Sequence, residues 1–264
     1  MQLQRIMVAL KPWERGLPIA ANHARQLAQR AGAEIEIVGS VFDAAVSAGR
    51  ERGEPAARET QHRTVATARV GLERLAASMR EWGARVTTRI VWGVPPYEAI
   101  LAAAQEWGAD LLVVGTHERG TLHSRFTDTD WQLMRRARCP LLLVKGAAFG
   151  GYRTILAAAD SLLDSDEPNG LQRAVLAASH CVAQACDSSE VDLVDGSQPQ
   201  AIIDAAAHRR ADLVVVGNAP RQGVAAAFLG NTAELVAGEL PCDVLLVPTP
   251  EECSVAPGVR SQIG

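Results

Sequence analysis

The sequence predicts an α/β protein with two open, mainly parallel, doubly wound sheets. Two observations support this fold class. Short runs rich in Val, Ile and Leu alternate with helical patterns, and this alternation is typical of parallel strands joined by right-handed crossovers with helices on both faces. In addition, four landmarks recur in the same order, which indicates that the chain contains an internal repeat.

The four landmarks of the repeat are three strand-like runs and one glycine turn that leads into a helix. They pair 5–10 with 153–159, 91–100 with 194–203, 109–115 with 211–217, and 138–144 with 241–247. The three runs are almost entirely apolar, as expected of strands that helices cover on both faces. We therefore expect equivalent strands in the two halves.

Helices are predicted between the strands of the first half. Each of three helical patterns stops at a glycine, which commonly ends helices because it adopts the left-handed conformation easily. The patterns are 17–31 before Gly32, 57–82 before Gly83, and 96–107 before Gly108. Together with a strand over 34–43, they give the first half the order βαβαβαβαβ.

The second half is predicted to be shorter by one strand and one helix. Arg5 and Arg153 are 148 positions apart, whereas Gly93 and Gly196 are only 103 apart, so about 45 residues are missing between these landmarks. In the first half this stretch holds the second strand, a polar connection at 51–55 and the long helix.

A glycine-containing stretch at 146–151 separates the last strand of the first half from the first strand of the second. We therefore predict a first domain at 1–147, a truncated second domain at 148–249 and a polar C-terminal tail at 250–264.

Composition argues against several classes of partner. A net charge of −4 provides no cationic field for nucleic acid or an anionic membrane surface. No apolar run approaches bilayer length, and the first residues do not resemble a signal peptide, so we expect a cytoplasmic protein. The five cysteines lack a CxxC pair and are therefore expected to be reduced. Four are expected in the core and Cys253 is expected to be reactive; the four are Cys139, Cys181, Cys186 and Cys242.

Ligands of open parallel sheets bind beyond the carboxyl ends of the strands, where the strand order reverses. In this chain the relevant loops follow Leu10, Gly115, Ala159 and Gly217. The loop after Gly217 is the strongest candidate, because backbone N–H groups that lead into a helix present partial positive charge to a phosphate.

The repeat and this loop resemble the universal stress protein family, whose nucleotide-binding members carry G-x-x-G, nine residues, then G-[ST] after this strand. The resemblance extends over 5–248, and the segments 126–131 and 227–234 are similar to tandem members of the E type. It implies the fold of this family, which is similar to that of adenine-nucleotide α-hydrolases. It also implies a pseudo-dimer of the two halves, for which the final strands 141–144 and 244–247 are the candidate contact.

The resemblance also implies candidate residues for a nucleotide site. In the second half, Asp160 stands at the acidic position after the first strand, and Gly217 and Gly230 stand at the first and last glycines of the pattern. Asn231 and Thr232 stand at and just after the hydroxyl position, and Gly115 is the counterpart of Gly217 in the first half. Asn231 replaces the hydroxyl residue, and Thr232 stands one position later.

Several residues depart from the family pattern. Pro220 replaces the middle glycine and removes one N–H donor from the phosphate cradle. In the first half, Glu118 and Asp128 would repel phosphates, and Lys11 stands where binders place an acid. The complete half therefore has the less suitable loops.

The same residues also have structural interpretations. Asn231 with Glu234, and Asp128 or Thr129 before Trp131, are typical of helix caps. Gly115 and Gly217 fit strand ends that need positive φ or close approach, and Asp160 fits a turn. Four basic residues are expected to form a solvated surface without metal binding: His117, Arg119, His123 and Arg125.

Three functions remain open from the sequence. The first is a non-catalytic stress-response module that binds a protein partner or a small anionic ligand such as ATP. Mg²⁺ would accompany the nucleotide, and no other metal is expected. The two halves would form a pseudo-dimer, and a homodimer of whole chains is also open. The second is a sensor of a lipid or other metabolite, with an apolar pocket near the tryptophans of the first half: Trp13, Trp82, Trp92, Trp107 and Trp131. The third is an ATP-hydrolysing enzyme, which no P-loop or nucleophile motif supports.

Overall fold

The computed structural model describes residues 2–10, 18–116, 126–145, 150–159, 170–188, 190–218 and 232–250. The first half contributes β1 (Arg5–Leu10), α1 (Ile19–Ala31), β2 (Glu34–Val41), α2 (Ala44–Glu51), α3 (Pro55–Glu81), β3 (Arg85–Trp92), α4 (Pro96–Trp107), β4 (Leu111–Gly115), α5 (Asp128–Arg136) and β5 (Leu141–Val144). The second half contributes β6 (Thr154–Ala159), α6 (Gly170–Ala185), β7 (Glu190–Asp195), α7 (Pro199–Arg209), β8 (Leu213–Asn218), α8 (Thr232–Glu239) and β9 (Asp243–Pro248).

The nine strands of the described residues form one sheet, in the order β3-β2-β1-β4-β5-β9-β8-β6-β7. The α/β class with mainly parallel strands is confirmed, but the prediction of two separate sheets is wrong. Strands β5 and β9 pair antiparallel, with Leu142 opposite Leu245, and this seam joins the halves. Each of these strands would otherwise expose a row of unpaired backbone groups, and the two rows satisfy each other. The predicted contact through the final strands is therefore correct.

The seam reverses the direction of the strands between the two halves. Leu141 faces Leu246 and Leu143 faces Val244, so the carboxyl end of β5 meets the amino end of β9. Within each half the strands are parallel. The strands of the two halves therefore end at opposite edges of the sheet.

The second half is the smaller one in the described part of the chain, with four strands and three helices against five of each. Only residues 186–189 separate α6 from β7, so α2 and α3 have no counterpart there. Strand β7 lies beside β6, in the position that β2 occupies beside β1. Helix α2 was not predicted; it begins after Asp43, whose Oδ1 accepts the N–H of Val46 at 3.0 Å.

Hydrogen bonds at the strand starts correct the alignment of the first landmark by one residue. Asp110 Oδ2 accepts two backbone N–H groups at the start of β1, the second from Arg5 at 2.9 Å. Asp212 Oδ2 does the same for β6, where the second donor is Thr154 at 3.1 Å. Arg5 therefore corresponds to Thr154 rather than to Arg153, because an apolar run by itself does not fix a register.

Two apolar clusters cover the sheet, and each contains residues of both halves. Helices α1, α3 and α6 pack on one face, here called the α1 face, and α4, α5, α7 and α8 pack on the other, the α4 face. Alternate residues of a strand point to opposite faces, so Ile6 and Val8 lie on the α1 face and Met7 and Ala9 on the α4 face. Among the described helices, none is both long and apolar enough to cross a bilayer.

Candidate functional site

Each half has one position at which the strand order reverses. In the first half it lies between β1 and β4, and in the second between β6 and β8. Open α/β sheets bind ligands in the crevice at this position. Because the halves run in opposite directions, the two crevices open at opposite edges of the sheet; we call them the first and second crevice.

The predicted site residues divide between the two crevices. Gly115 is the last residue of β4 and belongs to the first crevice. Gly217 lies in β8 beside the second crevice, and Thr232 is the first residue of the next helix, α8. The other three candidates, Asp160, Gly230 and Asn231, lie outside the described residues, as do the departures Lys11, Glu118 and Pro220.

The two described glycines of the site differ in packing. A Cβ atom on Gly217 would lie 2.8 Å from Cδ2 and 2.9 Å from Cγ of Leu171, at the start of α6. A Cβ atom on Gly115 would meet Ala20 at 3.5 Å, which is ordinary contact. Neither glycine has a positive φ. A side chain at 217 would therefore force Leu171 to move, whereas position 115 has room for one.

Asn218 follows Gly217 and ties the second crevice to the first half. Its Nδ2 donates to the backbone carbonyl of Met134, in α5, at 2.5 Å. Asn218 was not among the predicted site residues. Position 218 follows the strand–glycine landmark of the repeat, which was the available signal.

Helix α5 begins at the first crevice with a capping box. Thr127 is the N-cap: its Oγ1 accepts the N–H of Asp130 at 3.3 Å, and Asp130 Oδ2 accepts the N–H of Thr127 at 2.7 Å. The prediction of Asp128 or Thr129 as the cap is therefore wrong, because the Thr-x-x-Asp spacing satisfies two N–H groups reciprocally. Asp128 is the first residue of the helix.

Glu234 forms a contact with the first half that was not predicted. Its Oε1 and Oε2 accept hydrogen bonds from Nε and Nη2 of Arg135 at 2.7 and 3.2 Å. The hydrogen bond to Glu234 raises the pKa of Arg135, despite partial burial. This bidentate pair joins α8 to α5 across the seam, so Glu234 links the halves rather than serving only as a capping partner of Asn231.

A buried group of four residues, here called the seam cluster, was not predicted. It comprises His23 in α1, Lys145 after β5, Tyr152 before β6 and Asp243 at the start of β9. Asp243 Oδ1 accepts the backbone N–H of Lys145 at 2.7 Å, and Oδ2 accepts Tyr152 OH at 2.8 Å and lies 3.2 Å from His23 Nε2. Asp243 is 4% exposed, and it therefore holds parts of both halves together inside the protein.

The seam cluster also explains two pKa shifts. Burial raises the pKa of the Asp243 carboxyl, but hydrogen bonds from His23, the Lys145 backbone and Tyr152 outweigh burial and leave that pKa below its ordinary value. Burial and the neighbouring Asp243 raise the pKa of Tyr152 well above its ordinary value. Both nitrogens of His23 face oxygen atoms: Nδ1 lies 2.8 Å from the Ile19 carbonyl oxygen, and Nε2 lies 3.2 Å from Asp243 Oδ2.

The four described tryptophans do not line a shared pocket. Trp82 is exposed, Trp92 donates to Ser47 of α2, and Trp107 and Trp131 pack against the α4-face cluster. Trp13 lies outside the described residues. Their scatter over separate elements contradicts the expectation of an apolar tryptophan pocket in this half.

The described cysteines are free thiols, with Cys186 buried and Cys139, Cys181 and Cys242 half-buried. Burial raises the pKa of Cys181 and Cys186, and that of Cys242 to about 11, so these three thiols stay protonated at neutral pH. Cys253 and the basic residues of 117–125 lie outside the described residues. In the part of the chain that the structure describes, no group of three His, Cys, Asp or Glu side chains is placed to hold a metal ion.

The repeat, the two crevices and the antiparallel seam define a tandem α/β protein in which two related halves share one sheet. The model of the universal stress protein family matches residues 2–145 and 152–248, and the chain belongs to this family.

Relatives match along most of the chain. Universal stress protein E of Salmonella typhi is 25% identical to this chain, and the match covers 94% of this chain and 95% of the Salmonella protein. Universal stress protein E of Escherichia coli K12 is 27% identical over 62% of this chain and 69% of its own length. The resemblance to tandem E-type members is therefore confirmed.

Solved structures show the same fold. A universal stress protein from Pseudomonas aeruginosa UCBPP-PA14 superimposes with a TM-score of 0.73 at 21% identity, covering 96% of this chain and 95% of its own. One from Archaeoglobus fulgidus gives a TM-score of 0.62 at 12% identity, covering 94% and 97%. At these identities the likeness concerns the fold alone.

Proposed function

We propose that this chain is a cytoplasmic stress-response binding and signalling module without catalytic turnover. Its second crevice holds a small anionic ligand, and ATP with Mg²⁺ is the first candidate. The observation that carries the proposal is the connection from β8 to α8. Strand β8 ends at Asn218 beside the switch point and α8 begins at Thr232, and the N–H groups of a helix start attract phosphate.

The first crevice is less suitable for phosphate because its helix start is already occupied by acidic groups. The N–H groups of Thr127 and Asp130 are satisfied within the capping box. Asp128 and Asp130 place two carboxylates in the first turn of α5. A phosphate there would meet like charge, so we assign the nucleotide to the second crevice, with Asp160, Gly217, Gly230, Asn231 and Thr232 as its residues.

The seam also bears on partners. Because β5 and β9 pair within the chain, the pseudo-dimer needs no second copy to cover these edges. A homodimer would therefore use another surface.

A sensor of a lipid or other metabolite is the second candidate function, since a groove in the first half has the size of a ligand site.

Binding of Mg²⁺-ATP tests the nucleotide proposal directly by calorimetry. We expect the unaltered protein to bind and Gly230→Asp to abolish binding, because a carboxylate would stand beside the phosphates. Gly238→Asp is the matched control: it adds the same charge in α8, where a Cβ meets nothing within 4 Å, and it should leave the affinity unchanged. Absence of binding, or equal affinity of the Gly230→Asp protein, would refute the site.

Two further measurements separate the candidate functions. Native mass spectrometry of freshly purified protein should show a retained adenine nucleotide under the first proposal and a retained lipid or metabolite under the second. Phosphate release from ATP should remain at background. Sustained turnover would instead establish an ATP-hydrolysing enzyme.

A further inference from the structure

A groove of about 680 Å³ lies between α4 and the end of α5 in the first half. Tyr97 and Leu101 belong to its α4 wall, and Arg136, Arg138 and Cys139 belong to the opposite wall. We propose that this groove is a second ligand site, which binds an amphiphilic organic anion: an apolar, preferably aromatic body that carries one carboxylate or sulfonate group. The proposal is independent of the nucleotide site.

The shape and lining of the groove suit the apolar part of such a ligand. Its volume falls within the roughly 300–1,000 Å³ that small-molecule sites occupy. Leu101, Ala102, Ala104 and Ala109 give it an apolar wall. These short side chains leave room beside α4 that a ligand of a few rings would fill.

The charges of the groove favour an anion. Among the described residues that line the groove, Arg136 and Arg138 provide two guanidinium groups and Glu98 one carboxylate, which accepts a hydrogen bond from Tyr97 OH at 3.3 Å. The guanidinium of Arg136 lies over the Tyr97 ring, 5.1 Å from its centroid, and its Nε donates to Gln132 Oε1 at 3.0 Å. This stacking orients a planar donor group, and such a group can bind a carboxylate or sulfonate through paired hydrogen bonds.

The second half lacks counterparts of the two arginines of the groove. Basic residues in a last helical turn interact favourably with the helix dipole, and Arg136 stands in that turn of α5. The corresponding helix α8 has no basic residue in its last turn. The repeat places Gln200, Glu239 and Pro241 at the positions that Tyr97, Arg136 and Arg138 occupy in the first half. The second half therefore folds without a tyrosine or arginines at these positions.

A matched pair of probes separates the anionic from the apolar part of the site. Anilinonaphthalene sulfonate carries an aromatic body and one anionic group, and N-phenylnaphthylamine has the same rings without the charge. Fluorescence titration should show that both bind the full chain. The double variant Arg136→Gln, Arg138→Gln should bind the sulfonate roughly tenfold more weakly or worse, as expected for lost hydrogen bonds to a charged group, and the neutral probe unchanged.

Two controls accompany the double variant. Arg173→Gln removes an exposed arginine from α6 on the other face and should leave both affinities unchanged. Arg136→Gln alone should weaken sulfonate binding in part, which keeps the test informative if the double variant folds poorly. The proposal is overturned if the unaltered protein does not bind the sulfonate, if the arginine variants bind it as tightly, or if they weaken both probes equally.

Discussion

Asp243 is the charged residue on which contacts between the two halves converge. It accepts the backbone N–H of Lys145 from the end of the first half and the hydroxyl of Tyr152, and it faces His23 of α1. A buried carboxylate is costly unless it is paired and hydrogen-bonded, and here these contacts satisfy both oxygens. The aligned residue in the first half is Pro140, so this interaction has no symmetric counterpart.

Replacing Asp243 by asparagine should therefore destabilise the whole protein. We expect Asp243→Asn to lower the free energy of unfolding by roughly 3 kcal/mol at pH 7, because it replaces a buried carboxylate whose two oxygens contact Lys145, Tyr152 and His23. Urea unfolding measures the change. Asp204→Asn, an exposed substitution in α7, should alter it by less than about 0.5 kcal/mol, and equal effects of the two would contradict this account of the cluster.

The same pair of proteins has a defined pH dependence. The folded pKa of Asp243 lies below its ordinary value of 3.8. Its contribution to stability is therefore fully present above that ordinary value and is lost as the pH falls through the lower, folded value. The stability difference between the unaltered protein and Asp243→Asn should therefore shrink as the pH falls below about 4.

At the scale of elements, the packing of β8 on α6 differs from that of β4 on α1. Gly217 touches α6 so closely that a methyl group would force Leu171 to move, whereas Gly115 leaves ordinary contact distance to Ala20. The equivalent glycines of the repeat therefore have different structural roles. The shared sequence pattern does not reveal this difference.

A pair of alanine substitutions tests that difference. Gly217→Ala should lower the free energy of unfolding by about 1–3 kcal/mol through overpacking. Gly115→Ala should cost less than about 0.5 kcal/mol, since its backbone conformation is open to alanine and the space exists. Thermal or urea unfolding of both proteins decides the matter, and a cost at 115 as large as that at 217 would contradict the packing described.

The success of sequence reasoning followed the strength of the physical signal in each element. Strands such as β4 and β8 were predictable because both faces are buried and their residues are almost all apolar. Helix α2 was not, because it is only 8 residues long and buries only Val46 and Gly49. The cap of α5 was misplaced because several polar residues at the helix start can serve as caps, and only geometry shows which one bonds.

The candidate site and the seam show a second limit. The sequence indicated which connections approach a switch point but not that they open at opposite edges, which depends on the direction of β9 relative to β5. An edge strand must be covered, yet its sequence does not specify which edge covers it. The sequence alone also could not reveal the role of Asp243, because that role depends on where the fold places His23 and Tyr152.

At the scale of the whole molecule, the halves form one structural unit. The α1-face cluster and the α4-face cluster each contain side chains from both halves. Arg135 pairs with Glu234 across one face of the seam, and Arg30 of α1 donates to the Cys186 carbonyl at 3.1 Å on the other. The halves share two cores, a sheet and these polar contacts.

The antiparallel pairing of β5 with β9 inside one chain is the claim on which this account depends, and amide-to-amide nuclear Overhauser contacts in deuterated protein test it directly. We predict cross-strand contacts that link Leu141, Leu142 and Leu143 with Val244, Leu245 and Leu246, and their persistence when labelled chains are diluted into an excess of unlabelled ones. Two results would contradict the single shared sheet. The contacts could be absent from the undiluted sample, or they could be lost on dilution, which would mean that the strands pair between chains.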